Sequence, residues 1–304
     1  MRPDTLPGWI IRLQSGFYTV QTGERVLTCK MRGRLKRLHS NVDFIAVGDR
    51  VQVMALSDGS GMIEAIEPRS SSLVRLDPRP RGVYQQILLA NIDQLVLVFA
   101  CAQPAPRLRM LDRFLVIAEK QRIPAAIVAN KVDLVGMEKA QELFGVYPRL
   151  GYPVTYTSVK SGLGVEELHA CLAQRISGLA GPSGVGKSSL LNRIQPELGL
   201  AVREVSSQSE KGRHTTVVRQ LFPLVGGGYV ADLPGLRSLE LWDTQPEELD
   251  GYFPELRELV EECQFNDCTH QNEPGCAVIQ AVKDGSVSAE RYESYLRLRK
   301  GEDG

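Results

Sequence analysis

Nine residues of the chain have the spacing of a loop that binds phosphate. Within GPSGVGKSS, the glycines, the lysine and the first of the two closing serines fit the pattern G-x-x-x-x-G-K-[ST]. Glycines let backbone N–H groups turn toward phosphate oxygens, the lysine ammonium reaches the β- and γ-phosphates, and the serine hydroxyl is a ligand for Mg²⁺. A glycine-rich turn before a helix is the plain alternative, and it rarely has this full pattern. The predicted phosphate contacts are Gly181, Pro182, Ser183, Gly184, Val185, Gly186, Lys187, Ser188 and Ser189.

The loop does not separate ATP from GTP, but the stretch NKVD at 130–133 does. A carboxylate at Asp133 can accept hydrogen bonds from both N1–H and the 2-amino group of guanine, and adenine offers neither donor. Leaving such a charged group unpaired disfavours adenine by several kcal/mol. A surface turn is the alternative for so short a string taken alone. The predicted base contacts are Asn130, Lys131, Val132 and Asp133, with Ser158, Val159 and Lys160 forming the wall behind the base.

Two further stretches suit the γ-phosphate and its metal ion. Asp232 and Gly235, in DLPG, follow a strand-like run, which fits a carboxylate in the Mg²⁺ shell and a glycine N–H near the γ-phosphate. Thr215 or Thr216, in KGRHTT, would complete that shell. The predicted magnesium ligands are Ser188, Thr216 and Asp232, with the choice between the two threonines left open.

The elements around these motifs predict an α/β fold. Continuous apolar runs at 94–100 and 125–130, with an amphipathic stretch at 108–121 between them, are typical of a parallel sheet covered by helices. The run at 154–158 is followed by a helix predicted through Ile176, and two more strands are expected at 221–225 and 229–235. Five short strand-like segments between residues 9 and 67 predict a small β-barrel.

We therefore divide the chain into four parts. An OB-fold barrel is predicted at 1–68, a linker at 69–82, a P-loop GTPase domain at 83–245 and a helical zinc-binding domain at 246–304. The predicted guanine-binding stretch NKVD precedes the phosphate loop along the chain, whereas a Ras-like GTPase has the opposite order. This order indicates a circular permutation, which folds tolerate because chain termini often lie close together.

Four soft metal ligands lie within fourteen residues near the C-terminus. Cys263, Cys268, His270 and Cys276 have the spacing C-x₄-C-x-H-x₅-C, and three thiolates with one imidazole suit a closed, structural Zn²⁺ site. A disulfide would leave one cysteine of the cluster over. The C-terminal part has six basic and fourteen acidic residues, which argues against DNA reading by a zinc finger.

The most basic stretch is KMRGRLKR at 30–37, with His39 beside it. A barrel with such a hairpin suits an RNA backbone, and a merely solvated hairpin is the alternative. Arg291, Arg297, Arg299 and Lys300 form a second, weaker candidate. No apolar run approaches the ~18 residues of a membrane span, so we expect a cytoplasmic protein that acts as a monomer with no membrane partner.

Together these motifs resemble the circularly permuted ribosome-assembly GTPases of bacteria, the ribosome small-subunit-dependent GTPase A family, over essentially the whole chain. The resemblance implies a Mg²⁺-dependent GTPase that converts GTP to GDP and phosphate, binds the 30S subunit and its rRNA late in maturation, and carries one structural Zn²⁺. It also implies a catalytic role for His214, acting with Lys187, because Leu236 stands where Ras-type enzymes have the water-orienting glutamine. A solvent-exposed loop histidine is the alternative.

Two other functions fit parts of this pattern. One is a nucleotide-gated module that binds another RNA and uses hydrolysis only to reset itself. The other is a P-loop ATPase or kinase. Guanine specificity separates the latter from the GTPase, and co-sedimentation with ribosomal subunits separates the former.

Overall fold

The computed structural model describes residues 5–33, 35, 45–76, 85–200, 220–233 and 244–302. An N-terminal barrel, a mixed α/β domain and a helical C-terminal unit follow one another along the chain. Among the described helices, none is long and apolar enough to span a membrane.

The barrel consists of five strands that pair in the order β1-β2-β3-β5-β4 and close between β4 and β1. Alternate residues point inward, and these include Ile10, Val20, Cys29, Val51 and Ile63 in one buried cluster. Among the described barrel strands, only β3 and β5 pair in parallel. Five strands with this closure confirm the predicted barrel. Its strands are β1 (Leu6–Gln14), β2 (Phe17–Thr22), β3 (Arg25–Met31), β4 (Arg50–Ala55) and β5 (Gly61–Ile66).

The segment predicted as a linker differs from expectation over part of its length. Ser72–Leu76 forms a strand, β6, which pairs with β7 (Gln85–Ala90) in an antiparallel hairpin. Arg69 binds the fully buried Asp49 of the barrel through two of its nitrogens, at 2.6 and 2.8 Å. Serine, arginine and proline without periodicity predict a loose connection, but the chain here is held by an ion pair and by strand pairing.

The central domain has a six-stranded sheet in the order β10-β9-β8-β11-β13-β12, parallel except for β12. Apolar clusters cover both faces, and β8 is buried over its whole length. The prediction of buried parallel strands is confirmed. The strands are β8 (Gln94–Ala100), β9 (Ala125–Asn130), β10 (Val154–Thr157), β11 (Ile176–Ala180), β12 (Leu221–Pro223) and β13 (Tyr229–Asp232).

Four α-helices accompany this sheet within the described residues, and one predicted helix is shorter than expected. The helix that begins at Val165 ends at Leu172, and Ile176 already belongs to β11, so extending that helix through Ile176 was wrong. β11 leads directly into the phosphate loop. The helices are α1 (Leu108–Lys120), α2 (Met137–Phe144), α3 (Val165–Leu172) and α4 (Lys187–Ile194).

The C-terminal unit contains three α-helices and short 3-10 turns, and no strand lies in its described part, 244–302. Ser288 caps the last helix by accepting a hydrogen bond from the Arg291 N–H. The helices are α5 (Pro254–Arg257), α6 (Ala277–Asp284) and α7 (Ala289–Arg299).

Helix α1 joins this unit to the central domain. Residues along one stripe of α1, spaced three or four apart, contact the C-terminal unit, while the opposite stripe packs under the sheet. The contacting residues are Arg109, Asp112, Val116, Glu119 and Lys120.

The centre of this joint is a buried ionic network. The Arg291 side chain is 2% exposed and binds Asp112 at 2.8 Å and Glu255 at 2.7 Å. Asp112 also accepts hydrogen bonds from Tyr147 at 2.9 Å and from Ser294 at 2.5 Å. Arg291 was therefore wrongly assigned to a basic surface patch. Its positive charge is paired with two carboxylates in the protein interior.

Candidate functional site

The phosphate loop connects β11 to α4 and needs glycine at its turns. Gly181 has φ +146°, and a Cβ there would lie 2.0 Å from the Val98 carbonyl oxygen. Gly186 has φ +99°, and a Cβ would lie 2.4 Å from the Asn130 amide nitrogen. These two glycines let the loop pass against β8 and against the base-reading turn. The spacing of the motif is thus matched by the packing.

Lys187 opens helix α4 and folds back over the loop. Its ammonium donates to the carbonyl oxygens of Gly181 at 2.9 Å and Pro182 at 3.0 Å. Ser188 and Ser189 follow in the first turn of the helix and are half-buried, whereas Ser183 at the loop tip is exposed. Backbone N–H groups at a helix N-terminus favour an anion, so the local geometry suits phosphate.

The base-reading turn touches the phosphate loop directly. Asn130, fully buried at the end of β9, donates its amide to the Val185 carbonyl at 2.8 Å and accepts from the Thr157 hydroxyl at 3.0 Å. Lys131, in a left-handed conformation at φ +64°, donates to the Gly184 carbonyl at 2.7 Å. Two predicted motifs that lie some fifty residues apart in sequence therefore form one continuous surface.

Lys131 also binds the carbonyl oxygen of Gln103 in the loop between β8 and α1. Its ammonium thus ties three loops together. Burial lowers the pKa of this ammonium, and the charge of Asp133 opposes the shift.

The proposed guanine acceptor, Asp133, is exposed and is oriented by a neighbour. The buried Ser158 hydroxyl donates to its carboxylate at 2.6 Å, while the Ser158 backbone N–H binds the Leu163 carbonyl at 3.0 Å. Val132 is buried, Val159 is half-buried and Lys160 is exposed. One carboxylate oxygen is held in place, and the side chain faces solvent where a base could reach it.

Asp232 ends β13 beside the phosphate loop. Its Oδ1 atom is buried and has no hydrogen-bond partner among the described residues. Burial raises the pKa of this carboxyl group, and the positive charge of Lys187 opposes the shift. An unpaired buried carboxylate oxygen near a lysine fits a cation such as Mg²⁺, because hard divalent cations prefer oxygen ligands.

Four residues predicted for the nucleotide site lie outside the described part of the chain: His214, Thr215, Thr216 and Gly235. The same holds for Arg34, Lys36, Arg37 and His39 of the basic stretch predicted to bind RNA. Their roles stay predictions. Sequence reasoning in turn missed Thr157 and Gln103. Thr157 fixes the buried amide of Asn130, and its position at the end of a strand is the one signal that pointed to it. Gln103 acts through its backbone carbonyl, which no side-chain pattern can indicate.

The second site is the cysteine and histidine cluster of the C-terminal unit. The ligand atoms of Cys263, Cys268, His270 and Cys276 all lie within 4.8 Å of one another. None of the three cysteines in this cluster forms a disulfide. This donor set and spacing fit a tetrahedral Zn²⁺.

The surroundings of the cluster hold His270 in place. Its Nδ1 atom faces the Cys276 sulfur at 3.4 Å, and its Nε2 atom lies 3.2 Å from the Asp250 carboxylate. A carboxylate on the far nitrogen of a histidine orients the ring and raises its basicity as a metal ligand. The Tyr292 hydroxyl donates to the His270 carbonyl at 2.5 Å, where the backbone has φ +57°.

Comparison with known proteins identifies two family models along the chain. The family model described as RsgA GTPase matches residues 66–242, and the model described as RsgA N-terminal domain matches residues 7–63. A protein of Gemmatimonas aurantiaca, named small ribosomal subunit biogenesis GTPase RsgA, is 47% identical over 297 residues, covering 96% of each chain. A protein of the same name from Moorella thermoacetica is 44% identical and covers 96% of this chain and 95% of its own.

Two solved structures extend the likeness to three dimensions. YjeQ from Thermotoga maritima aligns with a TM-score of 0.80 at 38% identity and covers 99% of both chains. YloQ, described as a circularly permuted GTPase, aligns with a TM-score of 0.74 at 33% identity and covers 98% of this chain and 95% of its own. The chain belongs to the RsgA family of circularly permuted GTPases, enzymes that hydrolyse GTP.

Proposed function

We propose that this GTPase hydrolyses GTP while bound to the small ribosomal subunit and acts late in the maturation of that subunit. The observation that carries the proposal is the direct contact of Asn130 and Lys131 with the phosphate loop, which supports one shared pocket for base and phosphates. The relatives' name, small ribosomal subunit biogenesis GTPase, supports the 30S subunit and its rRNA as the partner. Such a partner would place the protein in the cytoplasm.

Each described residue has a distinct task in this proposal. Asp133, held by Ser158, accepts the two guanine donors, and Lys187 exchanges its loop carbonyls for the β- and γ-phosphate oxygens. Ser188, Asp232 and one threonine of the GRHTT stretch would hold Mg²⁺, which neutralises charge on the phosphate oxygens. Attack of water on the γ-phosphate gives GDP and inorganic phosphate, and we propose His214 as the residue that orients the water.

The guanine preference tests the pocket itself. Asp133→Asn should weaken GTP binding and favour xanthosine triphosphate, whose 2-oxo group pairs with an amide donor. The control is Asp93→Asn, which changes a carboxylate on the other end of the sheet. Unchanged guanine preference in Asp133→Asn would contradict the assignment.

The partner is tested by sedimentation. With a non-hydrolysable GTP analogue, the protein should co-sediment with 30S but not with 50S subunits, and 30S subunits should accelerate its slow hydrolysis. His214→Ala should lose that acceleration and keep its affinity for GTP. Equal binding to both subunits would favour a switch that acts on another RNA. Normal stimulation of His214→Ala would remove histidine from the mechanism.

The C-terminal cluster is proposed to hold one structural Zn²⁺ through Cys263, Cys268, His270 and Cys276. The metal would stiffen a helical unit that docks on the ribosome. Chelation should make this unit sensitive to limited proteolysis and leave nucleotide binding largely intact. Resistance to protease after complete chelation would argue against a structural metal.

A further inference from the structure

The barrel contacts the central domain through an irregularity in its first strand. Ile10 pairs with Val20 and Arg12 pairs with Thr19, so Ile11 is an extra residue in a β-bulge. A bulge places two successive residues against one partner and re-aims a side chain. As a result, Ile10 packs inside the barrel, while Ile11 belongs to the buried core of the central domain.

The core cluster that Ile11 enters includes residues of β12 and β13. Leu221 of β12 is fully buried in the same cluster as Ile11, together with Ala231 and Leu233. Trp9 of β1 lies against Tyr229 of β13, with 6.2 Å between ring centroids. The backbones also meet, because Arg12 forms an antiparallel bridge with Gln220 at the start of β12.

These two strands carry Asp232 and are short. β12 has three residues and β13 has four, and the Gly226, Gly227 and Gly228 turn between them has φ near +90° at each glycine. On β13, Tyr229 and Ala231 face the barrel side, so Asp232 faces the phosphate loop. The Oδ1 atom of Asp232 has no hydrogen-bond partner among the described residues. The position of the strand therefore has to set the position of this carboxylate.

We propose that Trp9 and Ile11 are positioning residues for the Mg²⁺ site of the GTPase. They hold the β12–β13 pair against the sheet from outside and thereby fix where Asp232 stands relative to the phosphate loop. The barrel is then part of the apparatus that sets metal affinity, in addition to any contact it makes with RNA. This inference rests on the proposed role of Asp232 in nucleotide-bound Mg²⁺.

Two adjacent isoleucines allow a matched test in the full-length protein. Ile11→Ala removes side-chain atoms from the core cluster shared with β12 and β13, and Ile10→Ala removes the same atoms from the barrel interior. Both variants are compared for Mg²⁺-dependent slowing of the release of a fluorescent GDP analogue, and for affinity for that analogue in EDTA. Ile11→Val and Ile10→Val give the same comparison with a smaller perturbation if either alanine variant fails to fold.

In Ile11→Ala, the Mg²⁺ concentration for half-maximal slowing should rise about tenfold, as for loss of a group that orients a metal ligand. Affinity in EDTA should stay within about twofold of wild type, because the base and phosphate contacts lie elsewhere. Ile10→Ala should leave both quantities unchanged and lower only the melting temperature. Trp9→Ala should shift the Mg²⁺ curve in the same direction as Ile11→Ala.

Equal Mg²⁺ curves for Ile10→Ala and Ile11→Ala would overturn the inference, whether both shift or neither does. The assay contains no ribosomal subunits, so failure of the small-subunit proposal would not affect its result. Failure of the wild-type protein to bind the labelled nucleotide would overturn the proposed function together with this inference. Normal binding with matched curves would overturn the inference alone.

Discussion

The barrel and the C-terminal unit are attached to the same central domain by different chemistry. Apart from the ion pair of Arg69 with Asp49 in the connecting segment, the barrel joins through apolar contacts and neutral hydrogen bonds. One of these is the Asn91 amide, which donates to the Gly48 carbonyl at 2.9 Å. The C-terminal unit joins through the buried charges of Arg291, Asp112 and Glu255. Apolar contacts weaken gradually as atoms are removed, whereas a buried ion pair fails sharply when one partner is lost. We therefore expect substitutions at the barrel side to lower stability in proportion to the atoms they remove. At the C-terminal side, loss of one charged partner should disrupt the attachment in a single step.

The largest loss of stability should come from Arg291→Ala. It leaves Asp112 and Glu255 buried without their cation, and the loss in free energy of unfolding should be about 3–5 kcal/mol. Arg297→Ala, which removes a half-exposed partner of Glu293, should cost no more than about 1 kcal/mol. Denaturant unfolding with hydrogen exchange in α6 and α7 measures both. Similar losses in the two variants would mean that the network is not the joint.

The barrel side is tested at Asn91, a buried residue with φ +51° that also accepts hydrogen bonds from the Ser70 backbone N–H and hydroxyl. Asn91→Gly keeps the backbone conformation and should lose about 1–3 kcal/mol from the missing hydrogen bonds. Asn91→Ala should lose roughly 1 kcal/mol more, because a Cβ disfavours the left-handed region. Thermal unfolding of the two variants gives the comparison. A more stable Asn91→Ala would contradict the assignment of strain.

A smaller effect on the ionic side should come from Asp250→Ala. It removes the carboxylate from the far nitrogen of His270, and affinity for Zn²⁺ should fall about 10- to 100-fold. Competition with a chromophoric chelator measures this affinity. Glu248→Ala, an exposed change two residues away, should leave it unaltered. If both variants bind Zn²⁺ like the wild type, the Asp250 contact does not support a metal ligand.

The smallest effect should come from Ser288→Ala, which removes the N-cap of α7 and should cost about 1 kcal/mol. Faster hydrogen exchange should be confined to α7, while the barrel and its contact with β12 keep their protection. Ser286→Ala, in the preceding turn, is the matched control. Faster exchange in the barrel would show that the two joints are coupled.

The sequence predicts the central sheet well where strands are continuous apolar runs. The bounds expected for β8 and β9 match the structure. Both strands are buried on both faces, so each appears in the sequence as one continuous apolar run with clear ends. β11 was missed because ISGLA contains serine and glycine and follows a helix without a clear stop. Gly178 is needed there, since a Cβ would lie 2.7 Å from a Leu233 methyl group.

The site is predictable where a motif is local and unpredictable where it depends on distant partners. NKVD and the phosphate loop could be named from spacing alone, but not the contact of Asn130 with Val185. Arg291 has the sequence context of an exposed helix residue, and its partner Asp112 lies 179 positions earlier in the chain. No pattern within α7 contains that information. The C-terminal joint therefore needed the three-dimensional structure.

The bulge at Ile11 implies that barrel closure and domain contact can be separated by a single deletion. Without Ile11, the inward and outward alternation of β1 would become regular, with Ile10 and Leu13 still inward opposite Val20 and Tyr18. Such a chain keeps every pairing that the barrel needs and lacks the side chain that enters the neighbouring core. The extra residue adds no pairing to the barrel, and its side chain belongs to the core of the neighbouring domain.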